Sequence, residues 1–572
     1  MDYSIKIGGE AGQGIQTIGD LLAHIFAKAG YYVFTHQDYE SRIRGGHNFY
    51  QIRFSDRLIT ASRREIHLLV ALDKESINQH LKELSPYGQV LYDSNHLKEK
   101  YEDPRFLDVP LFEIAKERGG SPLTANSVAV GAVMGMVRMP PEIMYELFKK
   151  IFSKKGKEII EANIRAGEGG YEFAKKECLT CNFPLVPFEE SKYLITGTEA
   201  VGIGAISANL KFYAAYPMTP STGIFNFIAE HAKDFDIVVE QAEDEIAAIN
   251  MIIGASYAGV RAMTGTSGGG FALMVEGLSL AGMTETPIVI AFAQRPGPAT
   301  GLPTRTEQGD LLFALFAGHG EFPKIIFAPG SPEQAIYLTN KAFDLAEKYQ
   351  IISIIMLDQY LADSQWSYLH IDTSKLTYKN YRLKGENLQK LELYKRHLFT
   401  DTGISPLGIP GTSTHLVITD SDEHDEEGHL IEDADIRKKM VEKRLLKKLP
   451  LIKKEISPPL IYGVQEPEII LICWGSMYGI VKEVVDNLKK DYSISMIHFS
   501  EIYPFSEDKA WLNLLKKARA IINIEQNATS QFYKLLRMET GVTIEHHINK
   551  YDGRPFLVEE LEEEIIGILK GL

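Results

Sequence analysis

In the stretch AAYPMTPSTGIFNF, Pro217 and Pro220 bracket Thr219 where an apolar run ends and a helical pattern begins. A hydroxyl fixed there has two uses. Thr219 suits the cap of a helix whose first position is Pro220, where no N–H is needed. The same geometry sets free N–H groups beside a hydroxyl, which makes an anion site. Further on, Arg295 closes the apolar run PIVIAFAQ ahead of a Pro/Gly-rich loop. The carboxyl end of a parallel strand is where open α/β sheets bind ligands. A guanidinium and a hydroxyl on one such edge form a carboxylate clamp. Between them, Glu240, Glu243, Asp244 and Glu245 gather where a strand gives way to a helix. The helix dipole alone favours acids there. The helix that follows is apolar and small, however, so at least one carboxyl must find a partner or hold a raised pKa. Arg305 and Glu307, deeper in the loop, read as surface residues.

The N-terminal region offers phosphate chemistry. GGEAGQG, Gly8 to Gly14, sits at a strand-to-helix turn but is neither G-x-G-x-x-G nor a P-loop, since it has no lysine. Its glycines permit close approach of a phosphate or of another backbone. Arg42 and Arg44 precede Gly45-Gly46; two guanidiniums beside a turn suit a phosphorylated ligand, and equally a solvated strand edge. Cys178-x-x-Cys181 lacks the two further ligands a metal needs and reads as a free thiol pair. Asp420 to His429, DSDEHDEEGH, reads as a solvated loop rather than a metal site.

The elements that position these groups follow from periodicity. Residues 1–182 open with the strand YSIKIGG, the helix GIQTIGDLLAHIFAKAG and the strand YYVFTH, a βαβ start. Residues 190–372 alternate strands and helices, including helix 220–233, EDEIAAINMIIGASYAG and ALMVEGLSLAGMTE, which suggests a mostly parallel sheet covered on both faces. Residues 373–458 lose that rhythm. Their acidic stretch precedes a basic one, as in a connector that pairs with itself or a neighbour. Residues 459–572 form a third α/β unit. The fold class is therefore multidomain α/β.

A chain of 572 residues holds roughly three to four domains. Its net charge of −15 argues against binding a phosphate backbone. MDYSIKIGGEAGQG does not read as a signal peptide, and no apolar stretch is long enough to span a bilayer. Three cysteines cannot form a disulfide framework in a chain this large. A cytoplasmic, soluble, multidomain protein is expected.

Taken together, these motifs resemble one family over essentially the whole chain. GGEAGQG with RIRGGH is similar to the gamma portion of the 2-oxoacid:ferredoxin oxidoreductases. YPMTPSTG, EDEIAAINMIIGASYAG, TSGGGFALMVEGLSLAGMTETPIVI and RPGPATGLPTRTEQGDL resemble the alpha portion, and GISPLGIPGT, DEHDEEGH and IEQNATSQF its later segments. The resemblance is to the subunit in which gamma and alpha portions are fused.

It implies CoA-dependent oxidative decarboxylation of a 2-oxoacid to acyl-CoA and CO2 with reduction of ferredoxin. The cofactors implied are thiamine diphosphate, Mg2+ and a [4Fe-4S] cluster. The Y-P-I-T-P motif of the family falls on Tyr216–Pro220, with Met218 in place of isoleucine. Thr219 would then hold the substrate carboxylate or carbonyl, Arg295 would pair with the carboxylate, and Tyr216 would join them in binding the substrate. Glu245 would hold the thiamine pyrimidine, with Glu243 as the alternative. Arg42, Arg44, Gly45 and Gly46 would face CoA. Residues 1–182 would be a gamma-type domain, 190–372 the pyrimidine-binding domain of thiamine enzymes, and 459–572 a transketolase C-terminal-like domain. No G-D-G…N segment is present, and three dispersed cysteines are too few for a cluster. A partner beta subunit would therefore carry the diphosphate site, the metal and the cluster, in a heterotetramer of two alpha and two beta chains. The fused arrangement favours 2-oxoglutarate, with pyruvate and branched-chain acids as alternatives. A non-redox transketolase-like half-subunit, a scaffold without chemistry and a nicotinamide dehydrogenase fit fewer of the motifs.

Overall fold

The computed structural model describes residues 1–41, 45–178, 181 and 183–571. The chain forms two compact units. The first comprises Met1–Ile195, Ser364–Ile371 and Leu557–Glu563; the second comprises Thr196–Asp363, Asp372–Phe556 and Glu564–Leu572.

In the first unit, the strands Phe106–Asp108, Leu84–Tyr92, Ile66–Ala71, Asp2–Ala11, Gly45–Ser55 and Tyr32–Asp38 lie side by side in that order. The expected βαβ start is present, with a strand inserted in it. Asp2–Ala11 and Tyr32–Asp38 each pair antiparallel with Gly45–Ser55, which lies between them. Ile15–Lys28 forms the crossover helix and buries Ile18, Leu21, Leu22, Ile25 and Phe26 against the sheet. Burying each such side chain stabilises the unit by about 1.5–3 kcal/mol. Phe26 stacks on Phe54 with centroids 4.1 Å apart. Trp366 pairs antiparallel with Phe34 at the edge, which draws Ser364–Ile371 into this unit. Cys178 and Cys181 form a disulfide, not the free thiol pair expected from the sequence. Both are buried just beyond the helix Lys157–Glu177, with their Cα atoms 5.5 Å apart.

The second unit holds a seven-stranded sheet in the order Glu501–Tyr503, Lys324–Phe327, Ile352–Asp358, Ile288–Gln294, Arg261–Thr266, Leu210–Ala215 and Val238–Gln241. All but the first run parallel. Ile288–Gln294 is buried at every position, as a strand covered on both faces must be. A second sheet of five strands contains the fully buried run Ile469–Trp474. The helix Pro332–Tyr349 begins with Ser331 accepting from the N–H of Gln334. The expected helix at 272–285 is instead divided between the end of Gly268–Leu273 and Val275–Met283.

The sign change in 373–458 does produce pairing. Arg444 contacts Glu423 through both terminal nitrogens, at 2.7 and 2.8 Å, and Arg437 joins the same carboxylate. DSDEHDEEGH is thus only partly solvated: His424 is fully buried, its ring 4.0 Å from that of His397. Nearby, Glu285 is buried among Lys443, Lys448 and His397. The charges of Lys443 and Lys448, then the hydrogen bond with His397, hold its carboxyl well below the usual range despite burial. Among the described residues, no helix is long and apolar enough to cross a membrane.

Candidate active site

Thr219, Arg295 and Glu245 all lie on connections at the carboxyl edge of the seven-stranded sheet, after Leu210–Ala215, Ile288–Gln294 and Val238–Gln241. Thr219 follows Leu210–Ala215 in a turn, and its peptide bond to Pro220 is cis. The helix starts only at Thr222, after Ser221. Thr219 is therefore not the helix cap, and Pro220 is not the first helical residue: the turn holds both outside the helix. Arg295 follows Ile288–Gln294 and donates from Nη1 to the carbonyl of Thr219 at 2.7 Å. A guanidinium has five N–H donors, so this bond anchors the group and leaves others for a ligand. The Thr219 hydroxyl has no protein partner among the described residues. Tyr216, in the same turn, is 41% exposed.

Glu245 opens the helix Glu245–Tyr257, which Asp244 caps by accepting from the N–H of Ala247 at 2.7 Å. The two acids therefore divide the work. Asp244 satisfies the helix end, and Glu245 turns inward with 3% of its surface exposed. Its Oε1 has no hydrogen-bond partner. Burial first, and the Asp244 charge second, raise its pKa. Glu240 and Glu243 are exposed. The carboxyl lies against Gly270: a Cβ built there would come within 2.4 Å of Glu245 Oε1 and 2.1 Å of Thr266 Oγ1. Ser267 Oγ, Thr264 Oγ1 and the Tyr213 hydroxyl are likewise buried without partners. Orphaned buried polar atoms are rare enough that a cluster of them marks a candidate ligand site.

Arg305 and Glu307 are not surface residues. Arg305 is 8% exposed and packs under Gly553, whose carbonyl accepts from the N–H of Thr306. Glu307 is half-buried, and its pKa is pushed up to about 7 by burial and then by Asp310. Asp310 is itself pushed up to about 6 by burial, with Arg295 pulling the other way. Sequence reasoning passed over Asp310, although TEQGD following the Arg295 loop put two carboxyls within four residues of each other.

In the first unit, GGEAGQG and Gly45-Gly46 come together. Ala11 pairs with Gly45, and Gly12, Gly14, Gly45 and Gly46 all have positive φ. Gly14 precedes the helix Ile15–Lys28 and contributes to a cleft of about 310 Å3 that also includes Gln16, Thr17, Glu40 and Asn48. Gly12 is shared with a second cleft of about 280 Å3, walled by Leu72, Leu111 and Phe112. Arg42 and Arg44 lie outside the described residues.

Comparison with known proteins bears on both units. A family model described as pyruvate flavodoxin/ferredoxin oxidoreductase, thiamine diphosphate-binding, matches residues 203–443. A second, pyruvate ferredoxin/flavodoxin oxidoreductase, matches residues 4–173. The chain is 34% identical to the alpha subunit of 2-oxoacid:ferredoxin oxidoreductase from Sulfolobus sp, over 100% of this chain and 97% of that one. This chain belongs to the 2-oxoacid:ferredoxin oxidoreductase family, as an alpha subunit. The thiamine diphosphate-binding family model covers residues that lie mostly in the second unit. It is 33% identical to the 2-oxoglutarate synthase subunit KorA of Methanocaldococcus jannaschii, over 65% of this chain and 98% of that one. A solved 2-oxoglutarate:ferredoxin oxidoreductase from Magnetococcus marinus, with 2-oxoglutarate, coenzyme A and succinyl-CoA bound, superposes with a TM-score of 0.89 at 30% identity, covering 99% of each chain.

Proposed function

We propose that this chain is the alpha subunit of a complex, active only with a beta subunit, that oxidatively decarboxylates 2-oxoglutarate with CoA as acyl acceptor and ferredoxin as electron acceptor. The observation that carries the reading is the Arg295–Thr219 clamp, set on the same sheet edge as a buried carboxyl with an unsatisfied oxygen. Arg295, already anchored on Thr219, receives the substrate carboxylate, and the free Thr219 hydroxyl donates to the same group or to the 2-oxo oxygen. Tyr216 lines the approach. Glu245 fits the pyrimidine of thiamine diphosphate, because its orphaned Oε1 would be satisfied by the ring nitrogen. The raised pKa favours sharing a proton with that nitrogen. When bound, the cofactor supplies the nucleophile and the electron sink that decarboxylation needs. The protein orients the acid and fixes its charge.

The relatives named for 2-oxoglutarate support that substrate over pyruvate and branched-chain acids. We assign residues 1–182 as the gamma-type domain, 190–372 as the pyrimidine-binding domain, 373–458 as a connector and 459–572 as the transketolase C-terminal-like domain. CoA would lie on the gamma-type domain, its phosphates near the helix that follows Gly14 and beside Gly45 and Gly46, with Arg42 and Arg44 in reach. The diphosphate site, Mg2+ and the [4Fe-4S] cluster belong on this reading to a beta subunit, since two of this chain's three cysteines pair with each other and such clusters take four thiolates. The assembly would be a cytoplasmic heterotetramer of two alpha and two beta chains.

The test is dye reduction by the complex purified from its native source, with a panel of 2-oxoacids with and without CoA. Reduction that requires both, fastest with 2-oxoglutarate, is expected. A faster rate with pyruvate moves the specificity, and no rate with any 2-oxoacid ends the reading.

A further inference from the structure

Between Arg295 and the helix Leu311–Phe316 the chain has little to fix it from within, since residues 297–302 are exposed. Its base is closed by Gln294, the buried neighbour of Arg295. Gln294 Oε1 accepts from the N–H of Asp310 at 3.0 Å, and its Nε2 donates to the carbonyl of Leu357 at 3.3 Å. The other fastenings come from the five-stranded sheet and from the connection that follows its strand Ala520–Glu525. Gln308, 1% exposed, turns all four of its polar groups there. Its N–H donates to the carbonyl of Gln526 at 2.7 Å, and its Oε1 accepts from the N–H of the same residue at 3.1 Å. Its Nε2 donates to the carbonyl of Trp474 at 3.0 Å, and its own carbonyl accepts from Asn527 Nδ2 at 3.1 Å. Gln531, which opens the helix Gln531–Thr540, donates to the carbonyl of Gly309 at 2.6 Å and accepts from the N–H of Leu312 at 3.0 Å. Beneath them the buried carboxylate of Glu525 accepts from Asn527 Nδ2 at 2.8 Å and from the N–H groups of Phe532 and Tyr533, each at 2.9 Å. One carboxylate thus orients Asn527 and satisfies the start of the helix that carries Gln531.

Hydrogen bonds are short and directional, so such a set allows one register and little slack. A loop displaced from it would leave buried donors and acceptors unpaired. Gly309 takes the bond from Gln531, and Asp310, the next residue, takes the bond from Gln294. A shift at Gln531 therefore reaches Arg295 through Gly309, Asp310 and Gln294. We propose, resting on the role given to Arg295 above, that Gln308 and Gln531 are positioning residues for the substrate: they latch the loop after Arg295 onto the C-terminal sheet and so set where the guanidinium meets the 2-oxoacid carboxylate. They act through the loop and not on the substrate itself. Residues 459–572 then serve substrate affinity as well as assembly.

The experiment is steady-state dye reduction by the purified complex, comparing wild type, Gln531→Ala, Arg295→Lys and the double variant. Gln531 is only half-buried, so its truncation leaves the core untouched. Gln531→Ala should raise KM for 2-oxoglutarate about five- to thirtyfold, the size of one or two neutral hydrogen bonds, with KM for CoA unchanged. In the Arg295→Lys background the same substitution should add less than twofold, because the placement it controls is already lost; independent sites would add in full. Hydrogen–deuterium exchange of the wild-type complex reads the latch without any variant. Binding of N-oxalylglycine, a 2-oxoglutarate analogue that cannot lose CO2, should slow exchange in peptides spanning 306–312 and 526–533, since coupling between two sites is reciprocal. That slowing supports the latch even if Gln531→Ala fails to assemble. An unchanged KM for 2-oxoglutarate in Gln531→Ala, an equal rise in KM for CoA, full additivity with Arg295→Lys, or exchange at 526–533 indifferent to the analogue overturns the latch, while turnover of 2-oxoglutarate keeps the function standing. Absence of turnover with every 2-oxoacid overturns both.

Discussion

Arg295 and Thr219 hold one another: the guanidinium donates to the threonine carbonyl at 2.7 Å, although 76 residues separate them in the chain. One bond thus ties a strand end to a turn and leaves the other guanidinium donors to a ligand.

Replacing Arg295 by Lys keeps a charge but removes the fork. A charge-assisted contact of about 2–3 kcal/mol is lost, so kcat/KM for the 2-oxoacid falls about 30- to 150-fold. Thr219→Ala removes one neutral hydrogen bond of about 1 kcal/mol, a fivefold effect, and Thr219→Ser restores it. Steady-state dye reduction measures each. Losses below threefold for both Arg295→Lys and Thr219→Ala would sink the clamp.

Glu245→Gln keeps the shape and removes the acid, and kcat falls about 10²- to 10⁴-fold. Gly270→Ala is the sharper test, because it leaves the carboxyl intact. Its methyl would collide with both Glu245 Oε1 and Thr266 Oγ1, so the carboxyl must shift. Activity should drop with it while circular dichroism reports an unchanged fold. Full activity in Gly270→Ala would show that the position of this carboxyl does not matter.

Glu285→Gln strands Lys443 and Lys448 in the interior. Breaking a buried ion cluster costs about 3–5 kcal/mol, which a lowered thermal midpoint will read. The pH dependence follows from the depressed carboxyl. Below its unfolded value of about 4.5 the unfolded state binds the proton first, so stability is complete above that pH and is lost as pH falls. The wild type should lose stability steeply in acid, and Glu285→Gln should lose less.

Thiol titration of the denatured, unreduced chain should yield one group, Cys473. Three would mean that Cys178 and Cys181 are reduced.

The parts of the site that were legible in the sequence depend on residue type at a local boundary. Arg295 after an apolar strand and Glu245 ahead of an apolar helix announce themselves through the elements beside them. The missed parts depend on chain that arrives from elsewhere. Arg305 is buried because Gly553 covers it, and Gln308 is fixed by donating to Trp474 and accepting from the N–H of Gln526. Glu285 meets Lys443 across 158 residues. No window of sequence contains such pairs. The helix start was misplaced for a different reason: Pro220 suits a first helical position, but the turn it shares with Thr219 delays the helix to Thr222. Likewise, strand Gly45–Ser55 slips between two strands that the βαβ pattern alone would make neighbours.

The unsatisfied oxygen of Glu245 also bears on the fate of the subunit before assembly. A donor brought to this buried acceptor by the cofactor would stabilise the folded state by about 1–3 kcal/mol, gained by mass action only in copies that bind it. Copies that never meet cofactor and partner therefore open more often than assembled ones, and opened chains are the ones that proteases remove. On the proposed reading, the atom that would serve the chemistry would also help the cell keep its subunits in register, by making the incomplete enzyme the short-lived one.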